Sequence, residues 1–413
     1  MRSHGPPPQI EFSVRRLGGA FDLLAAYRPP GVFFERAGRG VAGAYGSTTI
    51  TLDTAGDAID VLRRSPTRQG DVAPVAVGAL PFRNRGGALP VLSVPRRAAV
   101  RLDDGPTWRI DAVVPGRPGD GEPSFAPVDP GAPHDPFSEF QLTPSPSLDG
   151  YRAAVADAVA RIRGGVLRKV VLARAIEVRA GRRLDPRLLV SRLRAVDPDA
   201  YTFAAPTDDG VIVGASPELL VSRRGREIRS NPLAGSAPRS GDPDQDRANA
   251  EALASSAKDR EEHAIVVDAV AQTLRPFCEE LTWDPEPVLR DTPNVWHLST
   301  SFRGVLRDPA PTALDLVSAL HPTPAVAGTP TDAALTAIGE LEPFDRGRYA
   351  GPVGWIDANG DGEWAIALRC AELVGDRAIL SAGAGIVADS DPALELDETE
   401  RKFRAFLDAL RWG

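Results

Sequence analysis

The sequence predicts a mixed fold of helices and antiparallel strands, and three observations predict it. Short apolar runs are joined by two-residue turns of hairpin type at Asp209-Gly210, Arg224-Gly225, Asn359-Gly360 and Gly375-Asp376. Between them lie segments with apolar residues at helical spacing, among them Tyr151 to Arg163 and Gln245 to Glu279. The chain has 413 residues, enough for one large or two ordinary domains, each with a full core.

Composition narrows the function. A hydrophobic share of 42% and a charged share of 25% is the balance of a soluble globular protein. A net charge of −8 argues against a general binder of nucleic acid or anionic membrane, while leaving room for a local basic pocket. The two cysteines, Cys278 and Cys370, are far apart and give neither a disulfide framework nor metal-ligand spacing. No signal-peptide core opens the chain and no run reaches transmembrane length, so a cytoplasmic protein is expected. Lysine is scarce: Lys169, Lys258 and Lys402 are the whole set among 48 basic residues. A chain that writes arginine so freely keeps lysine where a compact or deprotonatable amine is needed.

Taken in order, residues 9 to about 110 read as short strands and turns, with a short helix from Asp57 to Arg64 and a strand pair in ALPVLSVPRRAAVRL. No chemical motif stands out there. Nine prolines between Pro115 and Pro146 read as either a domain linker or a long surface loop. Tyr151 to Arg163 is an amphipathic helix, and LRKVVLARAIEVRA a strand with Lys169 near its start. Burial among branched aliphatics favours the neutral amine, which can act as a general base; the alternative is a lysine snorkelling from a strand end.

DAYTFAAPTDDGVIVGASPELLVSRRGREIRSNPLAGSAPR reads as three strands. Glu218, between Pro217 and two leucines, is either an acid of raised pKa or an exposed strand-edge residue. Gly235 and Ser236 lie in a turn whose amides can cradle a carboxylate. Gln245 to Glu279 reads as one long helical segment, with Asp259 and Glu262 one turn apart on one face. His263 beside them is either a partner to a ligand or a core histidine. VWHLSTSFRGVL is strand-like with His297 at its centre, Pro311 to Leu320 and Thr331 to Leu341 are helices, and the loop HPTPAVAGTP runs between them. From Arg348 onward the chain is a run of strands. Its DANGDG turn lacks the glutamate of a calcium loop and reads as a hairpin. Arg369, inside AIALRCAEL, needs an anion to pair with.

The C-terminal stretch SAGAGIVADSDPALELDETERK gathers most of the chemistry. Gly383 and Gly385 let the backbone approach a ligand. Asp389, Ser390 and Asp391 read as a helix start, with Pro392 just inside it. Glu395, Glu398 and Lys402 then share one stripe, and Leu396, Phe403, Leu407 and Leu410 an adjacent apolar one. Such a charged stripe is ordinarily a solvated face; its lysine argues for more. Two carboxylate pairs on two helices suit a hard cation that keeps much of its water.

Together RKVVLAR, GASPELL, PLAGSAPR, KDREEHAIVV, VWHLST, HPTPAVAG, EPFDRGRYAGPVGW, ALRC, SAGAGIV and ELDETERK resemble the chorismate-utilising enzymes, in the family's order, over about residues 148 to 413. The resemblance implies an α+β fold of the anthranilate synthase component I type, a single large unit in which antiparallel sheets sandwich helices. Residues 1–147 would be its variable N-terminal part, with a Pro-rich surface loop at 115–147, and 148–413 the catalytic region. Amine-adding members carry glutamine at the position of Lys169, and the aminodeoxychorismate branch a lysine at the position of Ala234. The chain therefore resembles most the isochorismate synthase branch.

That resemblance implies a Mg2+-dependent, reversible conversion of chorismate to isochorismate, an isomerase reaction feeding catechol siderophore or menaquinone biosynthesis. Lys169 would be the base that activates water and Glu218 the acid for the leaving hydroxyl. Glu262 and Glu398 would hold Mg2+, with Asp259 and Glu395 acting through water. Gly235 and Ser236 would take the ring carboxylate, and Arg369, Gly383 and Tyr349 the enolpyruvyl carboxylate. His297, Ala325 and Val326 would line the ring pocket, and Lys402 would position charge. The expected protein is a monomer without an amidotransferase subunit. A salicylate synthase, an anthranilate synthase component and a catalytically silent homologue are the alternatives.

Overall fold

The architecture is that of a computed structural model, which describes residues 9–44, 46–51, 55–64, 67–68, 72–83, 91–115 and 140–411. Most of the proline-rich stretch from 115 to 147 lies outside those residues.

Among the described residues the strands form a thirteen-stranded sheet, a nine-stranded sheet and a three-stranded sheet. Pairing is antiparallel almost throughout; the parallel contacts among the described residues are a short one at Phe12↔Thr67 and the isolated bridge Arg28↔Ala44. Strands from the first third extend both large sheets: Val32–Arg36 pairs with Tyr201–Pro206, and Val75–Ala79 with Pro352–Asp357. One unit of α+β class results, antiparallel sheets packed with helices, as the resemblance implied.

Alternation along the strands sets the layers. Phe34 and Val41 point into the main core shared with the nine-stranded sheet, where Trp355 and Trp364 are fully buried. Phe33 and Ala42, one residue off, point into a second core under the helices Pro186–Val196 and Pro392–Arg411. Cutting either buried tryptophan to alanine would cost about 3–5 kcal/mol.

The chain passes between sheets more often than its hydrophobic pattern reveals. Residues 200 to 239 form five strands, not three: Tyr201–Pro206, Val211–Ser216, Leu219–Arg224, Glu227–Asn231 and Leu233–Pro238. The second and third belong to different large sheets, and the last belongs to the small one. Likewise Val91–Pro95 and Arg97–Arg101 do not pair with each other but join separate sheets. Each of these passages falls at a proline (Pro95, Pro217, Pro232), which has no N–H to continue a ladder. The segment read as one strand around His297 is two, Val295–Ser299 and Phe302–Leu306, again in different sheets.

The long helical segment is also two helices, Pro243–Ser255 and Ala257–Leu274. Ser256 breaks it. In extended conformation it ends the first helix and caps the second, its Oγ accepting from the Asp259 amide at 3.2 Å and donating to Oδ2 of Asp259 at 2.5 Å. Leu148–Arg163, Ala313–Leu320 and Thr331–Leu341 fall where the sequence placed them, whereas the helix Pro186–Val196 was not read there. Cys278 and Cys370 are buried free thiols, and no helix among the described residues is long and apolar enough to cross a membrane.

Candidate active site

A cleft of about 700 Å3, counting its open mouth, is lined by residues of the thirteen- and three-stranded sheets, of the passages that join the sheets, and of two helices. Its floor is the longest strand pair, Lys169–Arg179 against Arg377–Ile386, in register at Val171↔Gly385 and Ala173↔Gly383. Paired residues share a face, so Lys169 and Val171 point the same way as the vacant side-chain position of Gly385. A Cβ there would lie 2.1 Å from Oε1 of Glu262 and 3.2 Å from Cε of Lys169. The glycine read as room for a ligand is thus room for the protein's own carboxylate and amine. Lys169 is wholly buried, its Nζ 3.0 Å from Oε1 of Glu262 but without hydrogen-bond geometry. It stands behind the cleft wall and does not line the cleft.

Two polar residues come from the sheet passages. Glu218 follows Pro217 where the chain leaves the thirteen-stranded sheet, its amide donating to Ser216 Oγ at 3.2 Å. It is 4% exposed, so it is not a strand-edge glutamate. Burial pushes its pKa up to about 7, against the Leu233 amide and the charges of Lys169, Lys402 and Arg290. Arg369 sits at the return passage between Gly362–Ile366 and Cys370–Val374 in a left-handed conformation with φ +49°. The two passages are hydrogen-bonded to each other, Ile366 N to Glu218 O and Ala215 N to Arg369 O, both at 3.2 Å.

The small sheet supplies the wall opposite. Gly235, at φ +72°, forms a bulge between Ala234↔Leu298 and Ser236↔His297, which re-aims Ser236. His297 Nδ1 lies 3.1 Å from Gly235 O and 3.2 Å from Ser236 Oγ, and its Nε2 lies 2.9 Å from Nη2 of Arg369. Burial, then the charges of Arg369 and Lys402, hold this imidazole neutral, far below its usual pKa. Tyr349 closes the far side, its hydroxyl 3.2 Å from where a Cβ on Gly383 would lie, and burial keeps it protonated. Ala325 and Val326 line the cleft too.

The acidic residues come from two helices. The turn capped by Ser256 projects Asp259 and Glu262 from one. Asp391, whose Oδ1 accepts from the Ala393 amide at 2.8 Å, starts the helix Pro392–Arg411 that carries Glu395, Glu398 and Lys402. Glu262, Glu398 and Lys402 line the cleft, while Asp259 and Glu395 lie behind them. Lys402 Nζ donates to Glu398 Oε1 at 2.6 Å and to Gly383 O at 2.8 Å. Burial and then the charge of Glu398 push Glu395 up to about 7, against its pairing with Lys258. Asp259 is raised by burial and by the charges of Glu262 and Glu398. Among the described residues no three acidic, histidine or cysteine side chains already form a ligand cage. The cluster still fits a hard divalent cation: it is all carboxylate oxygen, and the crowded negative charges of Glu262 and Glu398 raise Asp259, as that of Glu398 raises Glu395.

Sequence reasoning missed Arg346, which lines the cleft from the EPFDRGR stretch. Its guanidinium pairs with Glu342 and donates to Val326 O at 2.7 Å and Val171 O at 2.8 Å. Glu342 in turn accepts from the Ala173 amide at 2.7 Å. The pair staples the cleft's floor to the loop bearing Ala325 and Val326. No spacing signal separated Arg346 from its neighbour Arg348. His263, left open between two readings, is a buried histidine 2.7 Å from Thr300 Oγ1.

Fold and cleft define a class, an α+β protein that gathers a buried carboxyl of raised pKa, an arginine and a lysine around one cleft. The particular family follows from comparison. Residues 129–411 match the model of the chorismate binding enzymes, and the chain belongs to that family. It is 48% identical over 278 residues to the isochorismate synthase DhbC of Bacillus subtilis, covering 66% of this chain and 70% of that one. It is 43% identical over 270 residues to the vibriobactin-specific isochorismate synthase of Vibrio cholerae, covering 65% and 68%. The structure of MenF, the menaquinone-specific isochorismate synthase of Escherichia coli, superimposes with a TM-score of 0.81 at 26% identity, covering 98% of this chain and 95% of that one.

Proposed function

We propose that this protein is an isochorismate synthase, converting chorismate to isochorismate by adding water at C2 and expelling the C4 hydroxyl. The observation that carries the reading is Glu218, a cleft-facing carboxyl whose pKa of about 7 lets it hold a proton at neutral pH and donate it. Its proton leaves with the C4 hydroxyl as water. The attacking water gives its proton to Lys169, whose contact with Glu262 has to loosen for Nζ to reach it. The ring exchanges one hydroxyl for another, so no oxidant is needed.

Around that pair, Arg369, the Gly383 amide and Tyr349 hold the enolpyruvyl carboxylate. The amides of Gly235 and Ser236 hold the ring carboxylate. Neutral His297, Ala325 and Val326 pack on the ring, and Lys402 supplies positive charge beside Glu398. Glu262 and Glu398 are the proposed Mg2+ ligands, with Asp259 and Glu395 acting through water. When bound, the ion would draw electron density from the ring towards its carboxylate. The nucleophile is water and not ammonia, so no amidotransferase is needed; the enzyme is proposed to be monomeric and cytoplasmic. Relatives named for vibriobactin and for menaquinone leave both a siderophore and a menaquinone destination for the product.

Incubation of purified protein with chorismate and MgCl2, with products identified by mass spectrometry, tests the reading. Isochorismate is expected, with activity lost on chelation and recovered with MgCl2. Stoichiometric pyruvate would mean a salicylate synthase, fluorescent anthranilate an anthranilate synthase component, and binding without turnover a silent homologue.

A further inference from the structure

The chain's three lysines meet in one place. Lys169 pairs with Glu262 at 3.0 Å, Lys402 with Glu398 at 2.6 Å and Lys258 with Glu395 at 2.7 Å. Each takes one carboxylate of the acidic cluster. The first two have work in the reaction described above; Lys258 has none. It stands in the first turn of the helix Ala257–Leu274 and reaches across to Glu395 on the helix Pro392–Arg411, its side chain one-third exposed and that of Glu395 only 3% exposed. An ion pair open to solvent at both ends would do little. Here one end is buried, so the partner of Glu395 decides whether that carboxylate's charge is available.

We propose that Lys258 is a positioning residue for the divalent-cation site: paired with Glu395, its ammonium stands in for part of the ion's charge, keeps that carboxylate occupied and lowers the affinity of the cluster for Mg2+. The inference rests on the reading of the cluster as a cation site. Four carboxylates would bind a dication tightly and repel one another in its absence. The ammonium groups of Lys258 and Lys402 offset part of that repulsion, and an incoming dication must compete with them. A lysine suits the task because it is a point charge on a flexible stem, whereas an arginine fork grips both carboxylate oxygens.

Calorimetric titration of MgCl2 into wild type, Lys258→Gln and Lys258→Arg, alongside thermal melts with and without MgCl2, provides a test that needs no turnover. Lys258→Gln is expected to bind Mg2+ about tenfold tighter, since a like charge beside the ion is removed, and to gain more melting temperature from it. Lys258→Arg keeps the charge and should not tighten binding. If wild type binds no Mg2+ by either method, the cation-site reading itself fails. If wild type binds and Lys258→Gln binds no tighter, the inference alone is overturned; equal tightening by Lys258→Arg overturns it too, by pointing to packing and not charge. Should Lys258→Gln not fold, the double variant Lys258→Ala, Glu395→Gln leaves no buried charge unpaired. It is expected to bind Mg2+ more tightly than Glu395→Gln alone, which has lost the same carboxylate but keeps the like charge, and equal or weaker binding would reject the proposal.

Discussion

Nη2 of Arg369 lies 2.9 Å from Nε2 of His297, and because a guanidinium can only donate, Nε2 must accept. That fixes the tautomer: the ring proton sits on Nδ1 and is donated to Gly235 O, 3.1 Å away. One neutral imidazole therefore ties the bulge at Gly235 to the strained backbone at Arg369. His297→Ala should free the guanidinium and raise KM for chorismate about tenfold, the worth of one hydrogen bond to a charged group, with a smaller change in kcat. Steady-state kinetics with varied chorismate checks it; a fall in kcat at constant KM would place His297 in the chemistry and not in binding.

Glu218 ties activity to pH. Glu218→Gln should lower kcat by about 10² to 10⁴, the usual contribution of a general acid. The wild-type rate should decline as pH rises through about 7, where Glu218 loses its proton.

The same residue makes a stability prediction of fixed sign. Its folded pKa is raised from 4.5 to about 7, so the folded state holds the proton more tightly. The resulting stability is complete below pH 4.5 and is lost as pH climbs through about 7. Glu218→Gln, which cannot ionise, should thus be more stable than wild type at pH 8.5, by on the order of 3 kcal/mol, with the gap closing near pH 4.5. Urea unfolding at the two pH values measures it, and equal stability at pH 8.5 would refute the buried-charge account.

Gly385→Ala puts a methyl group 2.1 Å from the Glu262 carboxylate. The expected cost is about 1–3 kcal/mol of stability, typical of overpacking, with the Lys169–Glu262 contact forced apart. A urea melt superimposable on wild type would mean that Glu262 has another place to go.

Arg346 and Glu342 form a pair whose side chains are 2% and 3% exposed. Arg346→Met or Glu342→Gln alone should destabilise by about 3–5 kcal/mol, because each strands a buried charge. Arg346→Met combined with Glu342→Leu should recover a good part of the loss. Chemical denaturation of the three variants shows whether the loss is recovered, and no recovery in the double variant would refute the stranded-charge account.

Much of this site was legible because local chemistry wrote it. The helix Pro392–Arg411 announced itself through Asp391 and Pro392, and its stripes followed from helical spacing. Lysine scarcity singled out three residues that the fold then brought together. What alternation cannot say is which strand a strand pairs with, so the passages between sheets at Pro95, Pro217 and Pro232 went unread. Gly385 was read as an approach for a ligand because nothing in SAGAGIV names Glu262, distant in sequence, as the neighbour. Arg346 stayed hidden for the same reason: its partners Val171 and Val326 are offered as backbone oxygens, which carry no sequence signature.

The placement of Glu218 and Arg369 at crossings between the two large β layers carries a further consequence. Neither belongs to a loop that can adjust by itself; each is anchored in both layers at once, and the two crossings are laced together. Their separation is therefore a gauge of how the layers are stacked. Repacking Trp355 or Trp364, which never touch the cleft, should shift the acid relative to the carboxylate clamp and change turnover while every cleft residue stays intact.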